Sequence, residues 1–294
     1  MDRMPAITEA SPAFQLYAPA EQSIPIVFSS PHSGRDYSDD FLQSSRLDAI
    51  QLRRSEDAFV DELFACAPRH GAPLLAATFP RAYCDPNREA YELDPSMFDG
   101  RLPEYANTRS PRVAAGLGTI PKVVSSGIDI YAGKLAVREV EQRVAGLYRP
   151  YHHRLERLID ETMRAFGWAL LIDCHSMPSV GGPADFDKGL SRVDVVLGDC
   201  FGASCASPVS QVLEDGFKAL GYRVVRNTPY AGGFTTRHYG QPRNGVHAIQ
   251  IEINRSLYMN EKNLAKLADF AGLACDLDRL VAKLAETFKG KAFP

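Results

Sequence analysis

Two of the seven histidines, His32 and His175, each stand just beyond a short apolar run, residues 24–30 (IPIVFSS) and 168–173 (WALLID). Such runs read as buried strands, and open α/β sheets bind ligands at the carboxyl ends of their strands. Two imidazoles placed there are candidate metal ligands. A catalytic zinc takes three protein ligands, often two histidines and a carboxylate, and keeps a fourth position for water. The ion lowers that water's pKa to about 7, which makes hydroxide available for attack on an amide carbon. The carboxylate candidates are the adjacent Glu56 and Asp57. Neighbours on a helix diverge by about 100°, so only one of them can face the metal. The competing readings are a loop-carbonyl partner for each histidine and a solvated helix face for the acidic pair.

Residues 246–254 (VHAIQIEIN) alternate, with Ile249, Ile251 and Ile253 pointing one way and Gln250, Glu252 and Asn254 the other. A carboxylate on an otherwise apolar strand needs a polar partner or a function. Glu252 is therefore the candidate general base, the alternative being a buried ion pair with an arginine. Asn87-Arg88 and Arg237-His238 sit in stretches rich in Gly, Pro and aromatics, where a planar guanidinium can clamp a carboxylate. An acidic substrate would need such clamps, whereas a structural role would pair the arginine with Asp85, Asp94 or Asp99. The Gly232-Gly233 pair suits a tight turn before Phe234 and does not resemble a phosphate loop.

The elements that must carry these residues alternate along the chain. Strands are predicted at 24–30, 74–79, 168–173, 193–197, 222–225 and 246–254. Helices are predicted at 46–66, 134–166 (to be broken or kinked at Pro150), 207–220 and 261–288. Residues 93–130, rich in Gly, Pro and Ser, read as an irregular surface excursion of the kind that often carries function. Strand–helix alternation predicts an α/β sandwich around a mixed, mostly parallel sheet. With 294 residues the chain is near the size at which single cores stop growing, roughly 250–300 residues. One catalytic domain spanning 1–294 is expected.

Composition narrows the function classes. Hydrophobic residues are 45% and charged residues 23% of the chain, an ordinary globular balance. Lys and Arg total 33 against 36 for Asp and Glu, so there is no basic excess to attract a phosphate backbone and no nucleic-acid partner is expected. No stretch approaches the roughly 18 apolar residues of a membrane span, and the start lacks a signal-type apolar region. A cytoplasmic protein is expected. Cys66, Cys84, Cys174, Cys200, Cys205 and Cys275 form no CxxC pair and read as reduced thiols. A thiol enzyme using Cys174 beside His175 is disfavoured, because consecutive strand residues point to opposite faces.

Five blocks occur in order: Ser30-Pro31-His32-Ser33-Gly34, Asp85-Pro86-Asn87-Arg88, Asp173-Cys174-His175-Ser176, Thr236-Arg237-His238-Tyr239-Gly240, and residues 245–252 (GVHAIQIE). Together they resemble the N-formylglutamate amidohydrolase family, over a stretch from residue 24 to residue 259. The resemblance implies a three-layer α/β/α sandwich related to zinc carboxypeptidases and aspartoacylase, the zinc-carboxypeptidase/phosphorylase-hydrolase-like fold, with one catalytic Zn2+. It implies His32 and His175 as metal ligands. In the related peptidases the ligating carboxylate follows the first histidine by three residues, where this chain has Arg35. The third ligand must then come from the block at 55–61, whose pattern favours Asp57, with Glu56 the alternative. Glu252 corresponds to the carboxylate that deprotonates zinc-bound water, Asn87 and Arg88 to a substrate-carboxylate pair, and Arg237 to the arginine that would hold a second carboxylate.

The activity implied is hydrolysis of N-formyl-L-glutamate to formate and L-glutamate, as at the end of a histidine-degradation route. The nearest rival is a zinc deacylase of another acidic N-acyl amino acid, which has the same residues and fold. A rival of another class is a non-catalytic dicarboxylate-binding protein with a vestigial metal site. The substrate expected is in each case a small acidic molecule.

Overall fold

The computed structural model of this chain describes residues 4–124, 127–182 and 185–290. Among the described residues twelve strands form in chain order: β1 (Glu9–Ser11), β2 (Phe14–Tyr17), β3 (Ile26–Ser30), β4 (Leu74–Ala77), β5 (Phe98–Asp99), β6 (Leu135–Ala136), β7 (Ala169–Met177), β8 (Val195–Gly198), β9 (Val224–Arg226), β10 (Val246–Asn254), β11 (Met259–Asn260) and β12 (Ala265–Lys266). Eight of them build one sheet in the order β1-β2-β4-β3-β7-β10-β8-β9. The pairs β4/β3, β3/β7, β7/β10 and β8/β9 are parallel, while β1/β2, β2/β4 and β10/β8 are antiparallel. The sheet is mixed and mostly parallel, as the alternation of elements predicts.

The helices are α1 (Asp39–Ser44), α2 (Ala49–Arg53), α3 (Val60–Leu63), α4 (Pro111–Ala114), α5 (Val137–Arg143), α6 (Arg149–Phe166), α7 (Ser207–Ala219), α8 (Phe234–Tyr239) and α9 (Phe270–Phe288). Strands β3, β4 and β7 are buried along their whole length, which requires cover on both faces. Phe28, Ile172, Ile249, Ile251 and Ile253 pack on one face with Leu213 and Phe217 of α7 and Leu277, Leu280 and Val281 of α9. Val27, Leu75, Leu171 and Ala248 pack on the other with Val140 of α5 and Tyr151, Leu155, Leu158 and Ile159 of α6. The result is the three-layer arrangement that the family resemblance implies.

Several elements depart from the sequence reading. The helix expected over 46–66 is broken: α2 ends at Arg53, Phe59 adopts a left-handed backbone (φ 66°), and α3 follows. The Asp57 N–H donates to the His32 carbonyl at 2.9 Å, a tertiary bond that holds this turn out of a helix. The last helix begins at Phe270 rather than 261, because β11 and β12 pair antiparallel and Leu264 has φ 56°. The described residues of 93–130 hold only the short elements β5 and α4 between turns, and they do not all lie on the surface: Leu93, Phe98, Ile120, Val124 and Ile130 are buried in the second core cluster. The N-terminal hairpin β1/β2 lies at the sheet edge and carries no strong local signal in the sequence. The break or kink expected at Pro150 is not a break: the helical backbone runs on from Val137 to Phe166 through a π-helical turn, Val144–Tyr148, that leaves the proline in the first turn of α6.

The core around β10 should be sensitive to truncation. Ile251 is fully buried between helices and sheet, so Ile251→Ala should lower stability by roughly 2–5 kcal/mol, read as a shift of the denaturation midpoint in urea.

Candidate metal centre

Three adjacent parallel strands deliver polar side chains to one face of the sheet. On β7, Ile172 and Cys174 point into the first core cluster, so Asp173 and His175 emerge on the opposite face. On β10, Ile249, Ile251 and Ile253 do the same, and Gln250 and Glu252 emerge beside their neighbours. The register pairs Gln250 with Asp173 and Glu252 with His175, and on the other side Ser29 of β3 with Asp173. His32 arrives from the turn that follows β3. Gly34 in that turn lies where a Cβ would stand 2.1 Å from the Phe79 carbonyl oxygen, so only glycine lets the turn approach so closely.

His32, Asp57 and His175 are brought together and buried, and one donor atom from each lies within 4.8 Å of the others. Asp57 Oδ2 is 3.3 Å from His32 Nδ1 and 2.9 Å from His175 Nδ1. Each imidazole is backed by a carboxylate on its far nitrogen: Asp85 Oδ1 lies 2.8 Å from His32 Nε2, and Asp173 Oδ2 lies 2.9 Å from His175 Nε2. Two nitrogens and one oxygen facing a common point suit a borderline divalent ion such as zinc. The rear carboxylates are the partners that metal-bound histidines usually have. The residues thus fit a metal ion. Asp173 is held in turn by the Ser29 hydroxyl at 3.4 Å, itself 2.7 Å from Tyr151 Oη.

Of the two acidic candidates, Asp57 alone stands beside the histidines. Glu56 faces Arg53, with Oε1 and Oε2 accepting at 2.9 and 3.2 Å, and takes no part in the cluster. Arg35 likewise turns away to Asp61 and Glu62. Burial raises the Asp57 pKa, but hydrogen bonds and charge from His175 and His32 outweigh it and hold the carboxyl well below its usual range. Burial opposes charge on His175, and Asp173 and Asp57 outweigh that in raising its pKa.

A cleft of about 590 Å³ opens over this cluster, and Asp57, Asp85, Glu252, Arg81 and Arg88 are on its wall. Glu252 is 7% exposed, and burial pushes its pKa up to about 7 against the opposing charge of His175. Its Oε1 accepts from Gln250 Nε2 at 2.7 Å. Leu117, Val123 and Val124 also line it.

The expected substrate-binding residues separate. Arg88 lines the cleft: its Nε and Nη1 donate to the carbonyls of Leu117 and Asn87 at 2.7 Å each, while Nη2 stands 3.7 Å from Asp85. Burial, ahead of its charged neighbours, lowers the Arg88 pKa to about 10, so it stays cationic at neutral pH. Asn87 is not on the cleft wall. It is buried behind His175, accepting from Thr235 N–H at 2.9 Å and directing Nδ2 toward Asp173 at 3.4 Å. A Cβ on Gly233 would lie 2.2 Å from the Asn87 amide, which explains the second glycine of the pair at 232–233. Arg237 corrects a further expectation: it lies exposed on α8, outside the cleft lining, near Arg112 rather than at the metal cluster.

Asp85, Asp173, Arg81 and Gln250 belong to the site and were not singled out for it from sequence. Asp173 was legible, since the i, i+2 spacing places it on the face of His175. Arg81, whose Nη2 donates to Asp85 Oδ2 at 2.7 Å, had no comparable signal. Cys174 donates to the Ile172 carbonyl at 3.6 Å inside the opposite core, which removes the thiol reading.

Comparison with known proteins gives a consistent picture. A family model described as N-formylglutamate amidohydrolase matches residues 24–259. The chain is 32% identical over 241 residues to an N-formylglutamate deformylase of Pseudomonas putida, covering 81% of this chain and 83% of that protein. It is 30% identical over 267 residues to the N-formylglutamate deformylase of Pseudomonas aeruginosa, covering 90% and 92%. The crystal structure of an N-formylglutamate amidohydrolase from Ralstonia eutropha JMP134 superposes with a TM-score of 0.87 at 35% identity, covering 95% of this chain and 99% of that one.

The division between the acidic neighbours is directly measurable. Asp57→Asn should abolish retention of a divalent metal after dialysis, measured by elemental analysis, while Glu56→Gln should retain it; equal behaviour of the two would reverse the ligand assignment.

Proposed function

Because the chain belongs to the N-formylglutamate amidohydrolase family, we propose that it hydrolyses the formyl amide of N-formyl-L-glutamate to formate and L-glutamate, using one zinc ion held by His32, Asp57 and His175. The observation that carries this reading is the convergence of those three side chains beside Glu252 in a cleft walled by Arg88. A zinc ion bound there supplies a Lewis acid for the formyl carbonyl and acidifies water.

The chain's own residues do the rest. Glu252, desolvated and with one oxygen engaged by Gln250, is suited to take the proton from the attacking water and return it to the leaving amine nitrogen. Asp85 and Asp173 hold the two imidazoles so that each presents Nδ1 to the centre. Arg88 keeps Nη2 for a substrate carboxylate and fixes the formyl carbon relative to Glu252. Asn87 supports Asp173, and Arg237 contributes positive charge from the surface rather than a contact. Five cationic side chains (Arg54, Arg81, Arg88, Arg255, Lys262) and five carboxylates (Asp57, Asp85, Asp185, Glu252, Glu261) line the cleft. A dication added to that balance makes the cleft net positive, which suits a substrate with two carboxylates.

A place in histidine degradation and a cytoplasmic location belong to the same proposal. All six cysteines are free, in keeping with a reducing compartment. No helix among the described residues is long and apolar enough to cross a membrane.

Formate release from N-formyl-L-glutamate by purified protein, with and without a zinc chelator, tests the reading. Activity lost on chelation and restored by zinc is expected; full activity in the chelator would exclude the metal. Glu252→Gln should lower kcat by roughly 10²–10⁴-fold with KM and zinc content near wild type. Arg88→Met should lower kcat/KM by roughly 10–100-fold, and a panel of N-formyl and N-acetyl acidic amino acids should rank N-formyl-L-glutamate first. A higher rank for another acyl amino acid would reassign the substrate and leave the chemistry in place.

A further inference from the structure

Arg255 lies on the cleft wall three residues beyond Glu252, yet its guanidinium is committed to the protein on every nitrogen. Nη2 donates to Asp57 Oδ1 at 2.9 Å, Nε to Ser176 Oγ at 3.2 Å and Nη1 to the Arg54 carbonyl at 3.3 Å. This distinguishes it from Arg88, which keeps Nη2 outside hydrogen-bond distance of any carboxylate. Arg255 is 7% exposed and Asp57 1%.

We propose that Arg255 is a positioning residue of the metal centre: it claims one oxygen of Asp57, turns the other toward His32 and His175, and so makes Asp57 a one-oxygen ligand. The inference rests on the metal reading above. Asp57 sits in an irregular turn rather than in a helix or strand, so regular secondary structure does not fix its carboxylate. The turn has one backbone anchor to the histidine segment, the Asp57 N–H on the His32 carbonyl. Arg255 adds the second, and ties the turn at Arg54 and Asp57 to Ser176, the residue after the other histidine. One planar fork thereby sets the distance between the carboxylate turn and the end of β7. The placement has a sequence logic: the 3₁₀ turn Arg255–Leu257 follows β10 directly, capped by the Asn254 side chain accepting from Ser256 N–H. The strand that carries Glu252 therefore also delivers the clamp. With Oδ1 held by Arg255, only Oδ2 of Asp57 would be free to face a bound ion.

Charge and geometry predict opposite signs here, which makes the proposal testable. A guanidinium next to a dication repels it, so on charge alone Arg255→Leu should tighten metal binding. As a clamp, its removal should weaken binding, by roughly the 10–100-fold lost when a group supporting a ligand is removed. The experiment is zinc affinity of metal-depleted protein by competition with a chromogenic chelator, for wild type, Arg255→Leu, Arg255→Lys and Ser176→Ala, with far-ultraviolet circular dichroism to establish folding. Wild type should bind tightly, Arg255→Leu 10–100-fold more weakly, Arg255→Lys weaker than wild type despite its retained charge, and Ser176→Ala several-fold weaker. Equal or tighter binding by Arg255→Leu or Arg255→Lys, with wild type binding tightly, would overturn the clamp and leave the metal site standing. Failure of wild type to bind zinc would instead overturn the metal reading and the clamp with it. If Arg255→Leu does not fold, Arg255→Lys and Ser176→Ala carry the decision, and unchanged affinity in both overturns the proposal.

Discussion

A buried carboxylate shared by two imidazoles is the constraint on which the rest of this structure depends. Asp57 is 1% exposed, and an ionised group so far from water persists only when its neighbours replace the lost hydration. His32 and His175 do so on one oxygen and Arg255 on the other. Each of those partners is buried too and needs its own: Asp85 and Arg81 behind His32, Asp173, Ser29 and Asn87 behind His175. The consequence is a charged network that stays ordered only while all of its members are in place.

The sheet is the frame that network requires. Parallel pairing of β3, β7 and β10 sets Ser29, Asp173, His175, Gln250 and Glu252 on one face in fixed register, and a slip of one residue on any strand would turn its polar groups into the isoleucine-rich core. Helices α7 and α9 seal that core on the far side. The polar face is then free to form a cleft, which Leu117 and Val124 also line. Turns supply His32 and Asp57, strand β7 supplies His175, and the sheet sets the spacing among them, a division typical of sites built on α/β scaffolds.

Two glycines show how closely the loops are packed to achieve this. Neither is needed for turn conformation alone: Gly34 clears the Phe79 carbonyl, and Gly233 clears the Asn87 amide. From the same turn, Gly233 N–H donates to Gln250 Oε1 and Thr235 N–H to Asn87 Oδ1. Both amides are thereby oriented with their NH2 groups toward carboxylates, Gln250 toward Glu252 and Asn87 toward Asp173.

Much of this was legible in the sequence. The apolar runs before His32 and His175 and the alternation of residues 246–254 determine which strands are central and which side chains leave them toward a common face, because side-chain direction along a strand has a strict period of two. The ordered blocks around those residues carry the family. What the sequence could not decide lay wherever position depends on contacts between distant segments. Glu56 and Asp57 are chemically alike and adjacent, and a backbone bond from Asp57 to His32, where a helix was expected, puts Asp57 beside the histidines while Glu56 faces Arg53. Asn87 and Arg237, read as substrate clamps, are placed by folding behind His175 and on an exposed helix face. Arg255 draws its importance from three acceptors far away in sequence or in irregular turns. Local periodicity encodes the direction of a side chain from its own backbone, and only the assembled tertiary structure decides what that side chain meets.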